Sequence, residues 1–314
     1  MASAPRGQAL ADRKNHKSGS RAQMQVVFHL GAHSTDEGRL LRSLLKSRAA
    51  LAEHDVAVPA PGRYRPLLRD TLASLRGAPA SDEVQDALLE AMLDEQRPRR
   101  LVVSNEFLLG VAQRVITDQG LLAGSGRRLA ALANLFPQAE VGFCLALRNP
   151  ATLIPAMLAR TQGLSYRALM AETRPEALRW PPVLREMRDA VPEAEITVWL
   201  NEDTPMIWPE ILRTIGGIEP QVPLEGDDDL VAALLPEDAL VRLRSYLAEH
   251  PPTSVDQRRR VVAAFLERFA LPDAVDRDIA LPGWDAALID RITAQYEADW
   301  DRIRAMPGLR IIAP

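Results

Sequence analysis

Lysine is almost missing from this chain. Of its 314 residues 38 are lysine or arginine, yet only Lys14, Lys17 and Lys46 are lysines. Any site that holds a phosphate through a lysine ammonium has few candidates. Cysteine is scarcer still, and Cys144 alone excludes an intrachain disulfide framework. It falls inside the apolar run 141–147, which reads as a buried structural thiol rather than a nucleophile. The five histidines are too scattered in spacing for a zinc site, so no metal is expected. No apolar run approaches the roughly 20 residues of a membrane span, so no transmembrane helix and no membrane partner are expected. Three motifs are also missing: G-x-x-x-x-G-K-[ST], G-x-G-x-x-G and G-x-S-x-G.

Residues 1–23 lack the apolar stretch of a secretory leader and read as a disordered basic tail, with a reducing cytoplasm as the expected location. The tail carries Arg6, Arg13, Lys14, Lys17 and Arg21 against Asp12, a net of +4. The overall charge of −4 therefore leaves −8 on the remainder. A body so acidic argues against nucleic acid as the main partner. The composition, 47% hydrophobic and 25% charged, is that of an ordinary globular protein.

Apolar, β-rich runs recur at residues 25–30, 55–58, 100–104, 140–147 and 195–200. Helical patterns separate them at 36–54, 64–76, 82–96, 126–136, 150–160 and 182–190. Strands alternating with helices predict a parallel sheet covered on both faces. Continuous apolarity in 26–30 and 141–147 marks central strands buried on both sides. After residue 200 a helix is expected over 204–215, stopped by Gly216-Gly217, then a proline- and acid-rich linker over 219–229. Asp227-Asp228-Asp229 in that linker reads as a solvated charge run. Helices follow at 236–250, 254–269 and 284–306, and 309–312 is a candidate edge strand. The five tryptophans read as core. One domain over 24–314 is expected, with a sheet core at 24–218 and a helical C-terminal part at 230–314.

The segment 24–48 carries the most chemistry. Its apolar strand ends at Gly31-Ala32-His33-Ser34-Thr35, and an amphipathic pattern begins at Asp36. Strand, glycine turn and helix N-terminus together aim free backbone amides at an anion.

His29-Leu30-Gly31-Ala32-His33-Ser34-Thr35 resembles the opening of bacterial sulfotransferase-like proteins of the P-loop superfamily, whose pattern is His-x-Gly-x-His-Lys-Thr-Gly-Thr-Thr. Two further landmarks are similar to that family: Arg148-Asn149-Pro150 after the run 141–147, and Ser104-Asn105-Glu106 at the end of 101–104. The resemblance covers about residues 24–200. It implies an α/β fold, a three-layer parallel sheet of P-loop/sulfotransferase type with a helical C-terminal part. It implies the sulfate donor 3′-phosphoadenosine 5′-phosphosulfate (PAPS) as cofactor, and a hydroxyl or amine acceptor on a small molecule or glycan. Gly31, Ser34 and Thr35, with Arg39, would hold the 5′-phosphosulfate, and Arg148 the 3′-phosphate. Glu106 or His33 would serve as base.

The departures from the pattern are concentrated at the donor. Ser34 stands at the lysine position, Asp36-Glu37-Gly38 replaces Gly-Thr-Thr, and Ala156 replaces a serine contact. Each carboxylate would repel a phosphate about 4 Å away by about 1–4 kcal/mol. Several alternatives stay open. Arg39 is either a substitute for the lysine or a solvent-facing helix residue, and Arg148 grips a phosphate or forms a salt bridge. Glu106 is a base or a helix N-terminal carboxylate before 107–111. His33 contacts a ligand or is held by a hydrogen bond within the loop, and His29 reads as a satisfied core residue. The whole is either a PAPS-dependent transferase or an inactive scaffold of that fold with a binding or regulatory role, in which case a protein partner is expected.

Overall fold

The computed structural model describes residues 24–94, 96–272 and 281–314; the tail expected over 1–23 lies outside the described residues. Six strands form one all-parallel sheet in the order β2-β3-β1-β6-β7-β8. They are β1 (Gln25–His29), β2 (Val56–Ala57), β3 (Arg100–Ser104), β6 (Glu140–Leu147), β7 (Glu195–Leu200) and β8 (Leu309–Ile311). A separate two-stranded hairpin pairs β4 (Ile116–Thr117) with β5 (Gly120–Leu121). The chain leaves β1 toward β2 on one side, returns through β3, and continues to β6 and β7 on the other. β1 is thus the point where the winding direction reverses, and the crevice beyond the carboxyl ends of the strands there is the usual ligand position in open α/β sheets.

Alternation along each strand divides the core. Val26 and Phe28 of β1, Leu101 and Val103 of β3, and Phe143 and Leu145 of β6 face one layer. That layer contains α3 (Pro61–Leu75), α4 (Asp82–Leu93), α5 (Ser125–Ala133), α6 (Pro150–Arg160), α7 (Tyr166–Met170), α8 (Trp180–Ala190) and α13 (Ala286–Arg304). Val27, Val102, Cys144, Ala146 and Trp199 face the other, made by α1 (Arg39–Lys46), α2 (Arg48–Ala52) and α9 (Thr204–Gly216). Phe28 and Phe143, both fully buried, stack with ring centroids 5.7 Å apart; removing such a ring from water is worth about 1.5–3 kcal/mol. A third, smaller core joins α10 (Asp229–Leu234), α11 (Glu237–Glu249) and α12 (Val255–Phe269).

Several sequence expectations need correction. The helix expected over 36–54 starts only at Arg39 and breaks at Ser47, whose hydroxyl accepts the Gly226 amide at 3.1 Å. The helix expected over 64–76 starts earlier, at Pro61, and ends at Leu75. The candidate edge strand over 309–312 is β8, which extends the sheet beside β7, and α13 packs on the sheet core through Tyr296 and Ile303.

The three aspartates of the expected linker are not a solvated run either. Asp227 takes two hydrogen bonds from Arg213 of α9, at 2.6 and 2.8 Å. Asp228 pairs with Arg244 of α11 and Arg258 of α12, at 3.1 and 3.2 Å. Asp229 meets Lys46 and the Ser43 hydroxyl of α1, both at 2.7 Å. Partners brought in by α1, α9, α11 and α12, invisible along the chain, turn like charges into three separate ties.

Candidate functional site

Parallel pairing puts the loops after β1, β3, β6 and β7 at one edge of the sheet. His29 lies level with Ser104 on one side and Cys144 on the other, so the residues that follow all emerge together. The β1 loop is tightly curled. Gly31, His33, Ser34, Glu37 and Gly38 all have φ between +49° and +72°. Gly31 is required twice over: its φ is left-handed, and a Cβ there would lie 2.6 Å from the Glu106 Cα. The β1 and β3 loops therefore touch backbone to backbone.

The curl decides where α1 begins. Gly38 caps it in the left-handed conformation, and Asp36 folds back so that its Oδ2 accepts the Leu40 amide at 2.9 Å. An amide that would otherwise await an anion is met by the chain's own carboxylate. Asp36 thus precedes the helix it was expected to open. Arg39 is in the first helical position and half-buried; its backbone N–H donates to the Asp36 carbonyl at 2.9 Å, and its side chain makes no hydrogen bond or ion pair among the described residues. The Thr35 hydroxyl is buried and unpartnered.

Arg148 leaves the carboxyl end of β6 and turns onto the same loop. Its Nη1 donates to the Ser34 carbonyl, and its Nε donates to the Thr152 hydroxyl at 3.1 Å. Its own carbonyl accepts the Trp180 indole N–H at 2.9 Å. These hydrogen bonds clamp Arg148 onto the β1 loop. Asn149 caps α6 by accepting the Ala151 amide at 2.9 Å, while its own N–H donates to Glu202 at 3.0 Å.

His33 is 3% exposed. Its Nε2 lies 3.0 Å from the Gly110 carbonyl, which can only accept, so Nε2 carries the proton. Nδ1 is then a proton-free acceptor, and it has no partner among the described residues. Burial holds the imidazole below its usual range despite the opposing field of Glu106. A ring held low in this way is neutral at about pH 7, which leaves Nδ1 as the acceptor. His29 is likewise buried and held low, with Nδ1 2.9 Å from the Ser104 hydroxyl and its ring stacked on Trp199. It is only half satisfied, because Nε2 has no partner.

Glu106 does not open a helix, since residues 106–109 form turns. Its carboxylate faces Arg160, from the last turn of α6, through two hydrogen bonds of 3.2 and 3.3 Å. His33, Ser34, Glu106 and Arg160 line one small cavity of about 60 Å³, walled also by Phe107, Ala112, Met157 and Thr161.

Of the residues singled out in the sequence, His33, Ser34 and Glu106 share this cavity, Gly31 buttresses it, and Arg148 fixes its Ser34 wall. Thr35 and Arg39 do not line it. Arg160 and Met157 were not foreseen. Arg160 stands 54 residues from Glu106, and a basic residue ending a helix looks like an ordinary dipole complement.

Among the described residues no group of three or more His, Cys, Asp and Glu side chains is placed to hold a metal ion. Among the described residues no helix is long and apolar enough to cross a membrane. No protein-family model and no curated protein sequence matches this chain.

Proposed function

We propose that this chain is a sulfotransferase-type α/β protein whose donor site is filled by its own side chains, and that it acts by binding rather than by PAPS-dependent transfer. The observation that carries this reading is the Asp36 carboxylate on the Leu40 amide, at 2.9 Å, at the N-terminus of α1. A donor phosphate would have to displace an anion already bonded there. Arg148 adds to it, because its guanidinium engages the Ser34 carbonyl. The position of β1 between β3 and β6 supports the fold assignment. The cavity of about 60 Å³ suits a small head group, whereas sites for whole drug-sized ligands run to about 300–1,000 Å³.

A second reading has one observation in its favour. His33 and Glu106, the two candidate bases, line a cavity with Ser34 of the loop that would hold the donor. A transferase would place an acceptor hydroxyl or amine there, deprotonated by His33 Nδ1.

Titration calorimetry with 3′-phosphoadenosine 5′-phosphate separates the two. The filled-site reading expects no heat at millimolar ligand. Micromolar binding that disappears in Arg148→Ala would overturn it and restore the PAPS-dependent transferase, with an acceptor search to follow.

A further inference from the structure

The cavity beside the β1 loop has a polar lining of unusual balance. Glu106 and Arg160 cancel each other's charge, so a ligand of net charge gains from one and is repelled by the other. Their hydrogen bonds, 3.2 and 3.3 Å, are long for a charge-assisted pair, which normally closes to about 2.7–2.9 Å. Both side chains keep some exposure, 22% for Glu106 and 32% for Arg160. His33, which also lines the cavity, carries a buried acceptor, Nδ1, that has no partner among the described residues. Such an atom asks for an N–H or O–H donor, since a buried acceptor left unpaired costs about 1–3 kcal/mol.

Size narrows the ligand further. At about 10–15 Å³ for each water-sized position, a volume of about 60 Å³ takes roughly the heavy atoms of one small head group. Phe107, Ala112 and Met157 form the apolar part of the remaining wall, Ser34 and Thr161 bring hydroxyl side chains to it, and Phe107 stands half exposed.

We propose that this cavity binds the zwitterionic head of a free α-amino acid with an apolar side chain. The ammonium lies between Glu106 and His33 Nδ1, the carboxylate on Arg160, and the side chain along Phe107. Each arm of the loose ion pair exchanges its partner for an opposite charge of the ligand, so no charge is left unpaired. The ammonium's third donor and the hydroxyls at the cavity wall complete the set. The inference does not require a closed donor site.

Titration calorimetry on the full chain with L-leucine tests it. The expected result is saturable binding, with glycine, acetate, isobutylamine and ethylene glycol each weaker by about tenfold or more. Glu106→Gln and Arg160→Gln should each weaken L-leucine by a similar factor, with thermal melts reporting whether either variant has lost its fold. The analogue series uses the unaltered chain, so it decides the matter even where a variant fails to fold. No binding of L-leucine at about 10 mM would overturn the proposal. So would ethylene glycol binding as tightly as L-leucine, which would assign the cavity to a hydroxyl ligand that leaves the ion pair intact.

Discussion

Asp36 Oδ2 accepts the Leu40 backbone N–H at 2.9 Å, across the first turn of α1. This contact answers two demands at once, the unpaired amide of the helix and the positive end of its dipole. Asp36→Ala should therefore lower stability by about 1 kcal/mol, the ordinary worth of a lost cap. It should also free the amide and remove a repelling charge, so that 3′-phosphoadenosine 5′-phosphate begins to bind weakly. Urea unfolding and calorimetry read the two effects separately. Unchanged stability would mean that the carboxylate does not cap the helix in solution.

Asp299 is almost fully buried in α13 and takes two hydrogen bonds from Arg179, the residue just before α8. Arg302 reaches it too, at 3.3 Å, but is 65% exposed. Removing one partner of a buried pair leaves the other uncompensated, at a cost of about 3–5 kcal/mol. Arg179→Ala, which strands the buried Asp299 carboxylate, should show a loss of that order in denaturant unfolding. Arg302→Ala should stay within about 1 kcal/mol, as exposed pairs do. Equal effects from the two variants would contradict this placement of the burden.

His29 and His33 are both held below the usual imidazole range by burial. The unfolded chain then binds protons at these positions where the folded chain does not, once the pH falls below about 6.5. Stability should decline from there toward acid, by at most about 1.4 kcal/mol per pH unit for each histidine. Above that pH both rings are neutral in both states and the contribution is flat. Guanidinium unfolding at about pH 7.5 and about pH 5.5 measures the difference, which should shrink in His29→Gln/His33→Gln. A double variant with the full acid loss would place its origin elsewhere.

Cys144 sits in the centre of the sheet, 4% exposed, and burial pushes its thiol up to about 12. The folded protein should be inert to Ellman's reagent at neutral pH and should release one equivalent of chromophore in denaturant. Rapid reaction of the native thiol would show an opening of the β6 region that its burial does not suggest.

What the sequence revealed depended on whether a feature was local. β3, β6 and β7 were legible to the residue because their side chains are apolar on both faces, a pattern that needs no knowledge of neighbours. The Gly31 turn was legible for the same reason. The start of α1 was not, because an aspartate capping from outside the helix has the composition of one inside its first turn. The Glu106–Arg160 pair and the imidazole state of His33 depend on a loop, a helix end and a carbonyl brought together by the sheet order. Nothing in the chain's local pattern encodes that meeting.

Asp227, Asp228 and Asp229 hold α9, the α11–α12 pair and α1, one residue to each. Three neighbours on the chain act as one junction for elements more than 180 residues apart. Exchange of aspartate for glutamate would conserve charge here and still lengthen one strut of the junction relative to the other two. A single inserted residue would dislodge all three together. The segment is therefore indexed like a key: its spacing, more than its acidity, is what natural variation has least room to alter.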